Sequence, residues 1–401
     1  MNWSVTLARS LNKDQSLIKH KYITTICQIA IALCLTTVLL ASFLIRGFEE
    51  KIESKIFNFW SHIRVFPISM NASNVLESPL YWTADNQFIL QKNPNILSSQ
   101  QVVNKGVILK SKESIEGIVL KGIELDDTFQ AYNFISKKNL EYQSNEIPLV
   151  LSRNTLQRLN SKVGDKIFIH IIDSQPVIIP GRIINSFFTN IEEFDNQIAL
   201  SEITTVQKLN HWTTNQISWI EIMVKKKESI HQVSKGLYNS LQEVNVDHIY
   251  NLFPQIFDWL SLMKRNELII MIVMQVVAVI NIISTISIFI LEKTQLIGML
   301  KVLGASNKDI QKILFYQIGT IVVRGIIIGN ILAFLLASFL YYFEPIKLDP
   351  SIYYIDYAPI SIHWNIWFFM NVLTIISCLL AAYFPLKTIT KISPVKVAEF
   401  K

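Results

Sequence analysis

Four long apolar segments constrain this chain more than any other feature of its sequence. They cover residues 23–45, 268–291, 313–340 and 365–386, and each has at least 22 residues. A helix needs about 20 residues to cross the hydrocarbon core of a bilayer. The first segment has no charged residue and exceeds the roughly 7–15 apolar residues of a cleavable signal, which favours an uncleaved anchor. We therefore predict an α-helical membrane protein with four transmembrane helices.

Composition supports this class. Half of the residues are hydrophobic and 17% are charged, whereas an average soluble domain is about 25% charged. This balance argues against a wholly soluble chain and excludes an intrinsically disordered one.

The distribution of charge predicts the orientation. The segments 1–22, 292–312 and 387–401 together carry twelve basic and four acidic residues. The segment 46–267 is nearly neutral, with 23 basic and 24 acidic residues, and 341–364 has one basic and three acidic residues. By the positive-inside rule, the three basic segments and both termini are cytoplasmic. The net charge of +6 then indicates topology and contact with anionic membrane lipids, and no nucleic-acid partner is predicted.

The segment 46–267 is predicted to be a large α+β extracytoplasmic domain between the first and second spans. All three cysteines lie in predicted spans, so this domain must fold without disulfides. An apolar stripe predicts a helix over 229–244, with a further strand near 248–252. Strands are predicted at 62–68, 102–109, 167–172, 177–184 and 217–224.

Both ends of this domain carry helical patterns that continue the adjacent spans. Residues 255–297 contain no Pro or Gly. A helix from there to 303 would be about 70 Å long at 1.5 Å per residue. Such stalks would transmit movement between the two sides of the membrane, or would only hold the domain in place. The patterned apolar residues are Phe48, Ile52, Ile56 and Phe59 before the domain, and Ile256, Leu260 and Met263 after it.

The loop 292–312 is predicted to be a short helical hairpin. Gly304 suits the left-handed position that follows a helix. Ser306 and Asp309 have the spacing of a capping box for the next helix. The tip is small and lightly charged, so it would dock into a groove of a partner protein, or it is a plain connector.

The third span combines a stripe of small residues with one charge. The stripe permits close helix packing, either within the chain or between two subunits. A charged side chain in a span is costly and raises a functional hypothesis, although Arg324 could also extend to the cytoplasmic face. The stripe consists of Gly325, Gly329, Ala333 and Ala337.

The sequence lacks the motifs of an enzyme. It contains no GxxxxGK[ST], GxSxG, HExxH or CxxC pattern, and its seven histidines are scattered. Four SxxK matches lie in flanking positions. We predict a non-catalytic chain with no bound cofactor or metal.

Several stretches, in this order, resemble the FtsX/MacB-type permeases of ABC transporters, and most closely the membrane subunits of lipoprotein-releasing systems. The strongest are FPQIFDWLSLMKRNE (253–267) and LEKTQLIGMLKVLGAS (291–306). The others are ARSL (8–11), GFEEKIESKIFNFWSHIRV (47–65), VGDK (163–166), FFTNIEEFDNQIAL (187–200), LDPSIYYIDYAPI (348–360) and ISPVKVAEF (392–400).

The resemblance implies a complex in the inner membrane. Two copies of an ABC ATPase subunit, which bind ATP and Mg, would dock beneath two permeases. The second permease would be identical or homologous to this chain. ATP binding would close the periplasmic stalks by mechanotransmission. A lipoprotein would be extracted from the membrane and passed to a periplasmic carrier.

The resemblance also implies two sets of site residues. The coupling element would be formed by Gly298, Lys301, Leu303, Gly304, Ala305, Ser306 and Asp309. Lipid chains of the substrate would enter beside apolar residues that equally fit ordinary helix packing. These are Leu40, Phe43, Leu44, Phe48, Ile52, Met263, Ile270 and Met274.

One departure concerns the carrier. A subunit of this family has a long protruding loop that recruits it, and the stretch between Ile172 and Val177 is too short for such a loop. This chain would then be the non-recruiting permease, or its system works differently. The alternative functions are peptide or drug efflux, regulation of cell-wall hydrolases, and a membrane-anchored receptor or scaffold without an ATPase.

Overall fold

The structure is a computed structural model of the 401-residue chain. It describes residues 18–68, 78–112, 114–125, 143, 145–171, 177–292 and 294–387. The predictions made for residues 1–17, for the loop 172–176 and for the tail 388–401 lie outside the described residues.

The described residues contain helices of very different lengths. They are α1 (Ile18–Trp60), α2 (Ala84–Lys92), α3 (Arg153–Arg158), α4 (Glu192–Gln197), α5 (Ile203–Leu209), α6 (Ile230–Ser240), α7 (Ile249–Leu252), α8 (Pro254–Glu292), α9 (Thr294–Val302), α10 (Asn307–Phe343), α11 (Pro350–Tyr353) and α12 (Trp364–Leu386).

The strands all lie between the first and second long helices. They are β1 (Ile63–Pro67), β2 (Leu80–Tyr81), β3 (Ile96–Lys110), β4 (Ile115–Ile123), β5 (Ile147–Ser152), β6 (Lys166–Ile171), β7 (Val177–Phe187), β8 (Ile198–Glu202), β9 (Gln216–Ile217), β10 (Trp219–Val224) and β11 (Val244–His248).

The chain divides into two compact units. The helical unit comprises the described residues up to Glu50, then Trp259–Lys347, and those from Tyr357 onward. The sheet unit comprises Lys51–Asp258 and Leu348–Asp356.

The sheet unit is built around one long strand that serves two sheets. The strand order is β11-β1-β10-β3-β4-β8-β5-β7-β6, and β6 pairs again with β3. This second pairing closes β3, β4, β8, β5, β7 and β6 into a six-stranded barrel, which leaves no free edge in that part of the sheet. Side chains that fill the barrel are fully buried: Val103, Leu120, Leu149, Ile169 and Ile183.

The other half of the sheet unit is a split β-α-β arrangement. Strands β10 and β11 both pair antiparallel with β1, and helix α6 connects them along the chain. The predicted helix over 229–244 is correct in its centre but too long, because Val244 pairs with Pro67 of β1. The strand predicted near 248–252 is displaced towards the N-terminus, since β11 spans Val244–His248 and residues 249–252 form α7.

A buried ion pair lies beside the end of α1 in the sheet unit. The Lys121 ammonium is 2.8 Å from a Glu221 carboxylate oxygen, and both side chains are at most 2% exposed. Lys121 also donates to the Phe59 carbonyl at 2.8 Å and lies 4.3 Å from the Trp60 ring centre. Burial lowers the Lys121 pKa, and the neighbouring Glu221 opposes that shift. Losing either partner would leave a buried charge unpaired, which is strongly destabilising.

The short segment Leu348–Asp356 belongs to the sheet unit although it lies between α10 and α12 in sequence. The Asn190 side-chain amide donates to the Asp356 carboxylate at 2.7 Å. The Lys55 ammonium donates to the Tyr354 carbonyl at 2.8 Å. These two bonds attach the segment to the FFTNIEEFDNQIAL stretch and to α1.

The described part of the helical unit has four helices that are long and apolar enough to cross a membrane. They are α1, α8, α10 and α12, and each of the four predicted spans lies within one of them. A helix suits the bilayer because its backbone groups hydrogen-bond within the helix, and lipid tails offer no hydrogen bonds to groups left open.

The stripe of small residues on α10 packs against α1 of the same chain. A methyl group added at Gly329 would lie 2.9 Å from the Ala32 carbonyl oxygen, and one at Gly325 would lie 3.0 Å from the Ile31 Cβ. The Thr36 hydroxyl donates to the Gly329 carbonyl at 3.0 Å. Ala333 and Ala337 continue the stripe and are buried. At these positions the structure therefore assigns the close packing to a contact within the chain.

Polar side chains join α12 to its neighbours in the helical unit. Trp367 donates to the Asn330 side chain at 2.6 Å, and Asn330 donates to Asn371 at 2.7 Å. One turn further along, Gln275 donates to the Thr374 hydroxyl at 2.8 Å. Such bonds between membrane helices satisfy polar groups that hydrocarbon would leave unpaired.

The buried His62 makes the sheet unit sensitive to acid. The buried Nδ1 of His62 accepts from the Val224 amide at 2.9 Å, and burial lowers its pKa to about 4. Because an unfolded His titrates near 6.5, this site stabilises fully above pH 6.5 and loses that stabilisation as the pH falls towards 4. The loss should reach about 3 kcal/mol for a shift of this size.

We expect His62→Gln to flatten the decline in unfolding temperature between pH 6.5 and 4. The unfolding temperature is measured at each pH by tryptophan fluorescence of the full chain in detergent. The half-exposed His170 gives the control variant His170→Gln, which should keep the wild-type slope. Equal slopes in wild type and His62→Gln would contradict the prediction.

The second prediction concerns helix packing. Gly329→Ala should destabilise the helical unit by about 1–3 kcal/mol, since its methyl group meets backbone of α1. Gly319→Ala is the matched control on the same helix, because nothing lies within 4 Å of the added methyl. Alanine should stabilise that position by up to about 1 kcal/mol. Size-exclusion chromatography after heating in detergent measures both, and equal melting temperatures would refute the packing assignment.

Candidate functional site

The hairpin between α9 and α10 has a tightly defined turn. Gly304 has a φ of +89°, a left-handed conformation that glycine adopts without strain. The Gly304 amide donates to the Lys301 carbonyl at 3.1 Å, and the Ala305 amide donates to the Leu300 carbonyl at 2.9 Å. This pair of bonds is a Schellman motif. The predicted left-handed glycine is therefore present in the structure.

The second helix of the hairpin begins with a side-chain cap. Ser306 is the N-cap of α10, and its Oγ accepts from the Asp309 amide at 3.2 Å. The Ser306 hydroxyl also donates to the Asp309 carboxylate at 2.6 Å. Asp309 thus binds the capping hydroxyl, whereas the Glu of an ordinary capping box binds the backbone amide of the cap residue.

The hairpin buries one face and exposes the other. Ile297 and Ile310 are each 1% exposed and lie inside the helical unit. Leu303 and Val302, next to the turn, are 83% and 73% exposed. These two adjacent apolar side chains make the tip a candidate contact surface.

The structure brings the residues predicted for coupling together within this hairpin. Gly298 is buried in α9, Lys301 and Ala305 are half-buried, and Leu303, Gly304 and Ser306 are exposed. Their role in coupling to an ATPase stays a prediction.

The residues predicted to line a lipid entrance differ in how deeply they are buried. Phe43 is 2% exposed and packs on Phe334, with ring centres 6.0 Å apart. Phe48 is 9% exposed and meets Trp259 at 6.5 Å. Ile52 is fully buried within the sheet unit. The remaining residues are half-buried in the helical unit: Leu40, Leu44, Met263, Ile270 and Met274.

A network of charged residues joins α1 to α8 among these apolar side chains. One Glu49 oxygen is 3.0 Å from Arg46 and the other is 2.7 Å from the Lys264 ammonium. Glu267 accepts from the Ser42 hydroxyl at 2.8 Å and is 3.4 Å from Arg46. We call these five residues the charge clasp.

The charge clasp is neutral and its acidic members are buried. Glu49 is 6% and Glu267 is 7% exposed, and each is balanced by a basic residue of the clasp. The clasp was not predicted from the sequence. The available signal was that Arg46 and Glu267 stand directly beside the predicted boundaries at 45 and 268, but spacing along the chain does not show which charges meet.

The described residues contain no group of three or more His, Cys, Asp or Glu placed to hold a metal ion. The predicted lack of a cofactor remains a prediction.

Known proteins resemble this chain both locally and along its length. Residues 268–394 match the family of FtsX-like permease C-terminal domains. The lipoprotein-releasing system transmembrane protein LolE of Haemophilus influenzae is 24% identical over 394 residues, which is 92% of each chain. The lipoprotein-releasing system transmembrane protein LolC of Neisseria meningitidis serogroup B is 21% identical over 412 residues, covering 95% of this chain and 94% of that protein.

A solved structure also aligns with part of the chain. The periplasmic region of MacB from Actinobacillus actinomycetemcomitans covers 49% of this chain and 92% of its own, at 14% identity and a TM-score of 0.33. A score this low carries no argument about the fold.

The matched family covers α10, α12 and the hairpin, and the two relatives extend the likeness over more than nine tenths of the sequence. The resemblance recognised from the sequence is thereby confirmed: residues 268–394 match the FtsX-like permease C-terminal family, and the chain is similar along its length to the membrane proteins of lipoprotein-releasing systems.

Proposed function

We propose that this chain is the permease subunit of an ATP-driven complex that extracts lipoproteins from the inner membrane for transfer to a periplasmic carrier. The observation that supports it most is the likeness to two lipoprotein-releasing membrane proteins over at least 92% of the chain. The exposed apolar hairpin tip provides the contact that such a subunit needs with its ATPase.

ATP hydrolysis belongs to a separate subunit in this proposal. The chain carries no phosphate-binding loop motif, so ATP and Mg bind to two copies of an ABC ATPase. Each ATPase accepts one hairpin tip, in which Leu303 and Val302 enter a groove. The Schellman turn and the Ser306 cap hold the tip in one conformation, which lowers the entropy lost on docking.

The orientation follows from charge. The hairpin carries Lys301, Lys308 and Lys312 and lies on the cytoplasmic side with both termini. The sheet unit then lies in the periplasm. A second permease, identical or homologous, completes the membrane part of the complex.

The substrate enters beside α1 and α8 in this proposal. Leu44 and Met263 are half-buried apolar residues there, and acyl chains would replace their present packing at little cost because both surroundings are apolar. Carrier recruitment falls to the partner permease, since five residues separate β6 from β7 in this chain.

We predict that Leu303→Asp reduces co-purification of the ATPase by about tenfold or more, because a carboxylate would enter an apolar contact at the cost of at least about 1.4 kcal/mol. Leu303 is 83% exposed, so the subunit itself should fold normally. Affinity purification of the co-expressed subunits measures the ratio.

Tyr342→Asp is the matched control, since Tyr342 is 78% exposed at the other end of α10. It should leave the complex intact. An undiminished ATPase ratio for Leu303→Asp would remove the hairpin tip from the interface.

The substrate assignment has its own test. A photo-crosslinking amino acid at Leu44 or Met263 should capture acylated lipoprotein in cells, because acyl chains would contact these half-buried positions. The same amino acid at Ile327, which is 53% exposed on α10, should capture none. Mass spectrometry identifies the lipidated peptide in the adduct. An intact complex that yields no lipidated adduct would favour peptide or drug efflux, or regulation of cell-wall hydrolases.

A further inference from the structure

Arg324 is a charged residue on the exposed face of a membrane helix. It lies within α10 and is exposed, and it makes no hydrogen bond or ion pair with any residue that the structure describes. The neighbouring exposed side chains are apolar: Val323, Ile327 and Ile331 are 52–54% exposed. The charge therefore points away from the helical unit, towards whatever surrounds it.

Two contacts between α10 and α12 show how deep Arg324 lies in the membrane. Asn330 of α10 meets Asn371 of α12, and Gln311 meets Leu386, so the two helices run antiparallel. Arg324 lies six residues before Asn330. In the antiparallel α12 the same depth is reached six residues after Asn371, at about Ser377. Ser377 precedes Lys387 by ten residues, which is about 15 Å of helix.

This depth lies below the headgroups. The apolar length of α12 between His363 and Lys387 is 23 residues, or about 35 Å, slightly more than the roughly 30 Å of the hydrocarbon core. The Cα of Arg324 is thus about 12 Å inside the hydrocarbon on the hairpin side. A guanidinium is costly to leave unpaired there, and none of the described residues pairs with it, so its partner comes from outside the part of the chain that the structure describes.

We propose that Arg324 binds the phosphate of an anionic phospholipid in the leaflet next to the hairpin. A guanidinium binds phosphate oxygens through two parallel N–H bonds. Its long side chain extends towards the headgroups, and local thinning of the bilayer brings the phosphate the remaining distance.

The helix surface on the hairpin side of Arg324 suits a headgroup. Tyr316 is 38% exposed eight residues nearer the hairpin, and its hydroxyl is able to donate to a phosphate oxygen. Thr320 already donates to the Gln317 carbonyl at 2.6 Å, so its hydroxyl oxygen remains an acceptor for a glycerol hydroxyl.

A second copy of this chain is a poorer partner. Arg324 is the sole charged residue of the segment 313–340. A symmetric contact through this face would therefore bring two cations together without a carboxylate from that segment, which is unfavourable at low dielectric. A lipid phosphate supplies the missing negative charge.

The test uses the full complex with its ATPase, reconstituted in nanodiscs. A phosphatidylglycerol with a photoreactive diazirine in its headgroup should label residues 316–327 about tenfold more than the matching phosphatidylcholine probe. Peptide mass spectrometry locates the label. The charge variant Arg324→Gln should reduce labelling by phosphatidylglycerol about tenfold, and Arg324→Lys should retain part of it because an ammonium keeps the charge but loses the two-bond geometry.

Lys312→Gln is the control, since Lys312 is also exposed on α10, twelve residues nearer the hairpin. It should leave labelling of residues 316–327 unchanged. Equal labelling by both lipids, unchanged labelling in Arg324→Gln, or an adduct with a second permease in place of lipid would each overturn the proposal. Size-exclusion chromatography verifies that the variants remain assembled. No lipoprotein is used, so the outcome is independent of the proposed substrate.

Discussion

The close approach of α10 to α1 determines the arrangement of the helical unit. At Gly329 the two backbones come so near that even a methyl group would touch the Ala32 carbonyl, and Thr36 adds a hydrogen bond at the same level. Because hydrocarbon offers no hydrophobic drive between helices, such contacts supply the association. They fix which face of α10 is inward, and therefore that Arg324 faces outward.

Local features of the sequence were sufficient to predict the long helices and the hairpin. A membrane span is recognised from one continuous apolar segment, and the turn depends on Gly304 and Ser306, which act within a few residues. The partners of the small-residue stripe could not be predicted in the same way. A four-residue repeat shows that something packs closely, but the identity of α1 as the partner depends on contacts nearly 300 residues apart in sequence.

In the sheet unit, sequence periodicity predicts strands but does not predict how they pair. Five strand segments were recognised from Val and Ile content, yet the closure of the barrel depends on β6 pairing with both β7 and β3. The boundary error after α6 has a related cause. Leu241 fits the apolar stripe of a longer helix, but pairing of Val244 and Val246 with β1 outweighs the local helical preference, since strand pairing depends on context more than on propensity.

The charge clasp changes how the predicted lipid entrance is understood. The apolar residues of the predicted entrance could separate from their neighbours at small cost, because acyl chains would replace one apolar contact with another. The residues of the charge clasp could not separate at small cost. Moving α8 away from α1 would separate Glu267 from Ser42 and Arg46 and leave a buried carboxylate unpaired. Any opening between these helices therefore requires that the carboxylates gain water or another cation. If the proposed entrance opens in this way, its control would lie with the five polar residues that join the helices rather than with the apolar residues that would receive the lipid.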